Sequence, residues 1–327
     1  MESLDRGKEG KKIRMDDCKI FPQEKRKFWH DTVKSLEEIR EIRIRVNKPI
    51  LLYKQQKEYS LNEEGKMILN LTEGKKFSYE EIQELINYWC QDSRYAFQEE
   101  LKKGFLTIEG GHRVGVCGEI VKNEKGTIQM IKYISGLNIR IAHEIKYVGK
   151  NIIGYLYSQN ELHNTLIIAP PGAGKTTMLR DLIRRISDGN LYGKGQTVGI
   201  VDERSEIAAC FQGIPQLEVG KRTDVLDNCP KAEGMMMLLR SMSPQVIAVD
   251  ELGSEQDVEV LQKMAGCGCS ILATIHGGCL EEVQKKVMFQ SLWEQKLFQR
   301  FLILQHDIQG YHSSVYKEGE EQPCFVC

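Results

Sequence analysis

The chain has 327 residues, of which 41% are apolar and 28% charged, so it can build two cores of ordinary domain size and is neither disordered nor fibrous over most of its length. Its 45 Lys and Arg against 46 Asp and Glu give a net charge of −1, so no overall basic field holds nucleic acid or an anionic membrane by charge, and no nucleic-acid partner is expected. Ten cysteines occur without repeated ligand pairs, which argues against a disulfide scaffold or a structural zinc site and favours a reduced, cytoplasmic setting; Cys324 and Cys327 form a lone C-x-x-C.

Residues 1–27 carry many charges and few large apolar groups and are expected to be a mobile tail. From Phe28 to Ile39 apolar residues recur at helical intervals, and the period then drops to two, with Ile42, Ile44 and Val46 on one face of a strand and Arg43 and Arg45 on the other. A turn at Asn47 to Pro49 leads to a second strand over Ile50 to Tyr53. Ser78 and Glu81 have the spacing of a capping box, predicting a helix through Tyr88. Glycine-punctuated strands follow from Phe105, with turns at Gly110-Gly111 and at Asn123 to Gly126. Residues 28–150 thus read as a small α+β domain.

In residues 151–327 apolar runs Thr165 to Ile168, Val198 to Val201, Val246 to Val249 and Ser270 to Thr274 alternate with helical segments, which predicts a mostly parallel sheet covered by helices. Directly after the first run stands Ala169-Pro-Pro-Gly-Ala-Gly-Lys-Thr176, a phosphate-binding loop in its strand-loop-helix setting, with Ala169 where the motif has Gly. Gly172, Ala173 and Gly174 would present backbone N–H groups to phosphate, and Thr177, at the start of the helix, is also expected to bind the nucleotide; Lys175 would bridge the β- and γ-phosphates and the Thr176 hydroxyl would ligate Mg²⁺. The run Val246 to Val249 ends in Asp250-Glu251, where Asp250 would hold Mg²⁺ directly or through water and Glu251 would orient or deprotonate the attacking water. In a parallel sheet Glu203, after Val201-Asp202, and His276, after Thr274-Ile275, share that edge; Glu203 would help place water or metal and His276 would sense the γ-phosphate. The Met235 to Met237 run reads as core packing, and Arg222 as a solvated loop residue. No Asn-Lys-x-Asp motif follows the loop, so ATP is preferred to GTP as the nucleotide.

These four elements, in this order, resemble those of the secretion and type IV pilus ATPases. Finer matches, at Glu41 to Val46, Gly110 to Gly115, Leu137 to Ala142 and Asp202 to Gly253, resemble the branch of that superfamily found in endospore formers. The resemblance implies a RecA-like P-loop NTPase domain behind a small α+β domain. It also implies a Mg²⁺-dependent, homohexameric ATPase in the mother-cell cytoplasm, bound peripherally to membrane-embedded partners of a channel or platform joining mother cell and forespore. It further implies that Arg113 and Arg140 reach a nucleotide held by the ATPase domain, the other reading being solvated strand arginines. Leu252 and Gly253 stand where many secretion ATPases have Arg, so any role of that Arg is absent or supplied elsewhere. An ATP-dependent scaffold with negligible turnover is the alternative.

Overall fold

The computed structural model describes residues 19–91, 93–94, 97–307, 310–320 and 322–326; the first 18 residues of the expected tail, and Cys327, lie outside the described residues. Two compact units divide the chain, Met1–His143 and Glu144–Cys327. Among the described residues no helix is long and apolar enough to cross a membrane.

The first unit contains α1 (Arg26–Lys34), β1 (Ile39–Arg45), β2 (Leu51–Lys54), β3 (Lys57–Leu61), β4 (Met67–Ile68), α2 (Tyr79–Trp89), α3 (Gln98–Lys102), β5 (Phe105–Ile108), β6 (His112–Lys122) and β7 (Ile128–Arg140). Its seven strands form one antiparallel sheet in the order β4-β3-β2-β1-β7-β6-β5. Ile42, Ile44, Val114 and Ile139 are fully buried on one face, as the period-two pattern requires, and pack with Ile82, Leu85 and Ile86 of α2. Both halves of the Ser78–Glu81 capping box are formed, so two otherwise unpaired N–H groups at the start of α2 are satisfied.

Two expectations are corrected here. The mobile tail does not extend to residue 27: Ile20 and Phe21 are 4% and 0% exposed, Phe21 stacks on Trp29 with ring centroids 4.0 Å apart, and Trp89 Nε1 donates to Ile20 O at 2.7 Å. Charge counting fails at this point because two apolar side chains and two aromatic partners suffice to anchor a short stretch. The helix entered at Arg26 stops at Lys34, since the chain needs a short 3₁₀ turn over Leu36–Glu38 to swing Ile39 into the sheet.

The second unit comprises β8 (Tyr157–Ser158), β9 (Glu161–Leu162), β10 (Thr165–Ala169), α4 (Lys175–Asp188), β11 (Val198–Asp202), β12 (Thr223–Asp227), α5 (Lys231–Ser241), β13 (Val246–Val249), α6 (Glu255–Gly266), β14 (Ser270–His276), α7 (Leu280–Gln284), α8 (Gln290–Glu294), β15 (Arg300–Asp307), β16 (Gly310–Lys317) and β17 (Phe325–Val326). An eight-stranded sheet runs β12-β11-β13-β14-β10-β15-β16-β17. It is parallel from β12 to β15, and β16 and β17 close the edge antiparallel.

Both faces of the central strands are buried, which explains their continuous apolar runs. Ile167 and Ala169 point into a core with Leu179, Leu182 and Ile183 of α4, while Leu166 and Ile168 point into a second core with Leu238 of α5 and Leu261 of α6. The methionine run splits by helical position and corrects the expectation of uniform core packing: Met235 is buried, whereas Met237, two residues on, is 53% exposed. Because the central strands are parallel, Ala169, Asp202, Val249 and His276 all end at one edge of the sheet.

Candidate functional site

The glycine-rich loop expected to bind phosphate, residues 170–174, joins the end of β10 to the start of α4. Gly172 and Gly174 have φ of 78° and 82°, in the left-handed region that a side chain disfavours, and Gly174 is the N-cap of α4. The first turn of the helix, with Lys175, Thr176 and Thr177, therefore opens at the sheet edge with its N–H groups and positive dipole end directed there. Ala173 is buried, its N–H bonded to Pro170 O. Ala169 is also fully buried, pairs with His276 and accepts a bond from Gly277 N–H.

Asp250 follows β13 and is the hub of the edge. It accepts a hydrogen bond from the Thr176 hydroxyl at 2.6 Å on one oxygen and from the Thr274 hydroxyl on the other. Glu251 adopts φ of 56°, unusual for a side-chain-bearing residue, and is held there by its N–H bond to Thr274 Oγ1 at 2.8 Å and by that of Leu252 N to Thr274 O. Its carboxylate is met by Arg204, whose Nη1 lies 2.8 Å from Oε2.

The loop carrying Arg204 is shaped from inside. Asp202 is 2% exposed and accepts the backbone N–H groups of Glu206, Ile207 and Ala208, while Arg180 of α4 donates to the carbonyls of the first two. The tight return leaves Glu203 and Arg204 facing solvent, where Glu203 pairs with Lys231 at the start of α5. Asp202, Glu203, Arg204, Lys231, Asp250 and Glu251 line one small depression.

Burial raises the Asp202 carboxyl to about 6, with Asp227 adding to the rise and the three N–H bonds opposing it. A carboxyl whose native value exceeds its unfolded one stabilises the fold most when protonated, and that contribution disappears as pH rises from about 4 through about 6. Asp202→Asn is therefore expected to gain on wild type by about 2 kcal/mol between pH 4 and pH 7 in denaturant titrations; a pH-independent difference would contradict it.

Of the residues expected at the site, the second unit brings together Thr176, Asp250 and Glu251 by direct or shared hydrogen bonds, with Glu203 lining the same depression. His276 is exposed at the end of β14, paired in register with Ala169, and its carbonyl accepts from Lys286 Nζ. Arg222 is an exposed residue of the turn before β12, in keeping with the solvated-loop reading, and also donates to Ser187 O at 2.8 Å. Arg113 and Arg140 belong to the first unit, opposite each other on β6 and β7, where Arg113 lies 3.6 Å from the ring centroid of Phe105 and Arg140 faces Glu41 of β1. Sequence reasoning assigned no role to Arg204, Lys231 or Thr274; Arg204 and Thr274 lie inside motifs it singled out, whereas Lys231 gave no local signal.

The residues present suit Mg²⁺. A hydroxyl and a carboxylate, hard oxygen donors already within 2.6 Å of each other, are the two protein groups such an ion uses beside phosphate oxygens. No cluster of three or more His, Cys, Asp or Glu that would hold a metal without phosphate occurs among the described residues.

The fold is similar to that of two solved ATPases at low sequence identity. DotB of Legionella pneumophila aligns over 91% of this chain and 81% of its own, with a TM-score of 0.57 and 15% identity. The pilus retraction motor PilT, solved with ADP, aligns over 90% and 83%, with a TM-score of 0.61 and 15% identity. In sequence, the chain is 43% identical over 267 residues to stage III sporulation protein AA of Bacillus subtilis (strain 168), covering 82% of each protein. The profile of the family described as sporulation stage III, protein AA matches residues 11–321, and with nearly the whole chain matched the protein belongs to that family.

Proposed function

We propose that the protein is a Mg²⁺-dependent ATPase whose RecA-like unit, residues 144–327, works in a homohexameric ring on the mother-cell side of a membrane. There it energises assembly of, or transport through, membrane-embedded channel proteins during endospore formation. The observation that carries the reading is the Thr176–Asp250 hydrogen bond of 2.6 Å, which ties the phosphate loop to the acidic strand end. The family match supports the sporulation setting, and the fold of DotB and PilT supports the ATPase class.

In this reading the N–H groups of residues 172–176 and the Lys175 ammonium hold the triphosphate, and Thr176 and Asp250 hold the ion. Held there, Mg²⁺ would supply charge neutralisation of the phosphates. Glu251, fixed by Thr274, orients or deprotonates the attacking water, with Glu203 beside it and His276 at the γ-phosphate end. Arg113 and Arg140 bring positive charge to a nucleotide held by the ATPase unit.

The Arg204–Glu251 ion pair favours a second reading, a nucleotide-dependent scaffold that turns over slowly until a partner frees Glu251. Hydrolysis measured against protein concentration separates the two. The motor is expected to show Mg²⁺-dependent turnover that rises with self-association and drops about 10²-fold or more in Lys175→Ala, because a positioned cation on the phosphates is lost. Nucleotide binding with no turnover at any concentration selects the scaffold.

A further inference from the structure

We infer that His306 and Tyr311, on the β15–β16 hairpin, form the platform on which the purine base of the bound nucleotide stacks. The inference rests on the nucleotide reading above and adds the base to it.

The direction of the nucleotide along the sheet edge follows from strand order. Asp250 and Glu251 follow β13, which lies two strands from β10 on the β14 side, so the γ-phosphate end points that way. The ribose and base then leave the loop on the opposite flank, where β15 is hydrogen-bonded to β10 in parallel register. The end of β15 therefore reaches the same edge as the phosphate loop, and β16 turns back from it.

At that corner the hairpin carries two rings. His306 and Tyr311 are register partners, with ring centroids 4.3 Å apart and planes inclined by 30°. Tyr311 stands next to the loop itself: a Cβ built on Gly174 would lie 4.0 Å from its Cε1. It is nevertheless 67% exposed, so a large flat apolar surface faces solvent one residue from the start of α4. A cross-strand aromatic pair can stabilise a hairpin anywhere along its length; this one is placed where a base emerging from the loop meets it. Stacking depends on the π-face and not on hydrogen-bonding edges, so the platform distinguishes purines from the smaller pyrimidines and treats adenine and guanine alike.

Calorimetry on the full chain with Mg-ATP, Mg-CTP and Mg-tripolyphosphate isolates the base from the phosphates. Wild type is expected to bind ATP more tightly than CTP. Tyr311→Ala should lose about tenfold in ATP affinity while keeping its tripolyphosphate affinity, and Tyr311→Phe, which retains the ring, should recover the ATP affinity. His306→Ala should show a smaller loss in the same direction. Unchanged ATP binding in Tyr311→Ala would overturn the platform, and so would an equal loss for ATP and tripolyphosphate, since the ring would then be supporting the loop. A wild type that binds neither ATP nor tripolyphosphate would defeat the nucleotide reading itself, an outcome separable from failure of the platform alone.

Discussion

Glu251→Gln is expected to lower ATP turnover by about 10²- to 10⁴-fold while leaving Mg-ATP binding in place, because the amide keeps the shape of the side chain but cannot accept a proton. The surrounding frame does not depend on that carboxylate: the Glu251 N–H bond to Thr274 and the Asp250 bonds to Thr176 and Thr274 are made by other atoms. Arg204→Ala should move the rate the other way. Its guanidinium occupies Oε2 of Glu251 from an exposed position, a contact of the strength of a surface ion pair, so basal turnover should rise about two- to fivefold. Single-turnover hydrolysis with equilibrium binding measured on the same samples checks both. Equal turnover in wild type and Glu251→Gln would remove this residue from the chemistry.

The second large effect concerns stability. Asp181 sits on α4 with its side chain 1% exposed and accepts from Arg184, from Arg185 at 2.9 Å, and from the N–H groups of Tyr147 and Gly149 at 3.1 and 2.9 Å. Burial alone would raise its pKa; the bonds from the two arginines and two amides outweigh that and hold it below the ordinary carboxylate range. Asp181→Ala leaves two guanidinium groups and two amides without this acceptor, and a loss of about 3–5 kcal/mol is expected for residues 144–327. Hydrogen exchange at the amides of α4 reports on this unit separately from the first. The sign with pH is fixed by the lowered pKa: the stabilisation is present above the unfolded value near 3.8 and disappears as pH falls through the lower native one. The difference between wild type and variant should thus be level from pH 5 to 8 and shrink in acid. Exchange in the variant as slow as in wild type would show the network to be dispensable.

The parts of the second unit that sequence makes visible are those whose neighbours are local. Thr165 to Ile168, Val198 to Val201 and Val246 to Val249 are covered on both faces, so every side chain is apolar and the run stands out. β12 escaped notice because Thr223–Asp227 lies at the sheet edge with five half-buried residues and two acids, a pattern that also suits a loop. At the site, Thr176, Asp250 and Glu251 were legible because each is attached directly to the end of a helix or strand of obvious type. Arg204 and Lys231 were not, because their partners, Glu251 and Glu203, are distant in sequence and the pairing is made by tertiary packing. Residues 20 and 21 were hidden for the same reason, their cover being Trp29 and Trp89.

Ala169, the departure from the phosphate-loop motif, carries a thermodynamic consequence. The two glycines with positive φ are Gly172 and Gly174, whereas Ala169 is the last residue of β10, paired to β14 within the parallel sheet. No left-handed backbone is required there, and the methyl group is wholly buried. Alanine at such a position narrows the conformations open to the unfolded chain, which favours the native state by about 0.4–1 kcal/mol relative to glycine. The substitution therefore strengthens the strand that bears the loop through the entropy of a state in which neither strand nor loop exists.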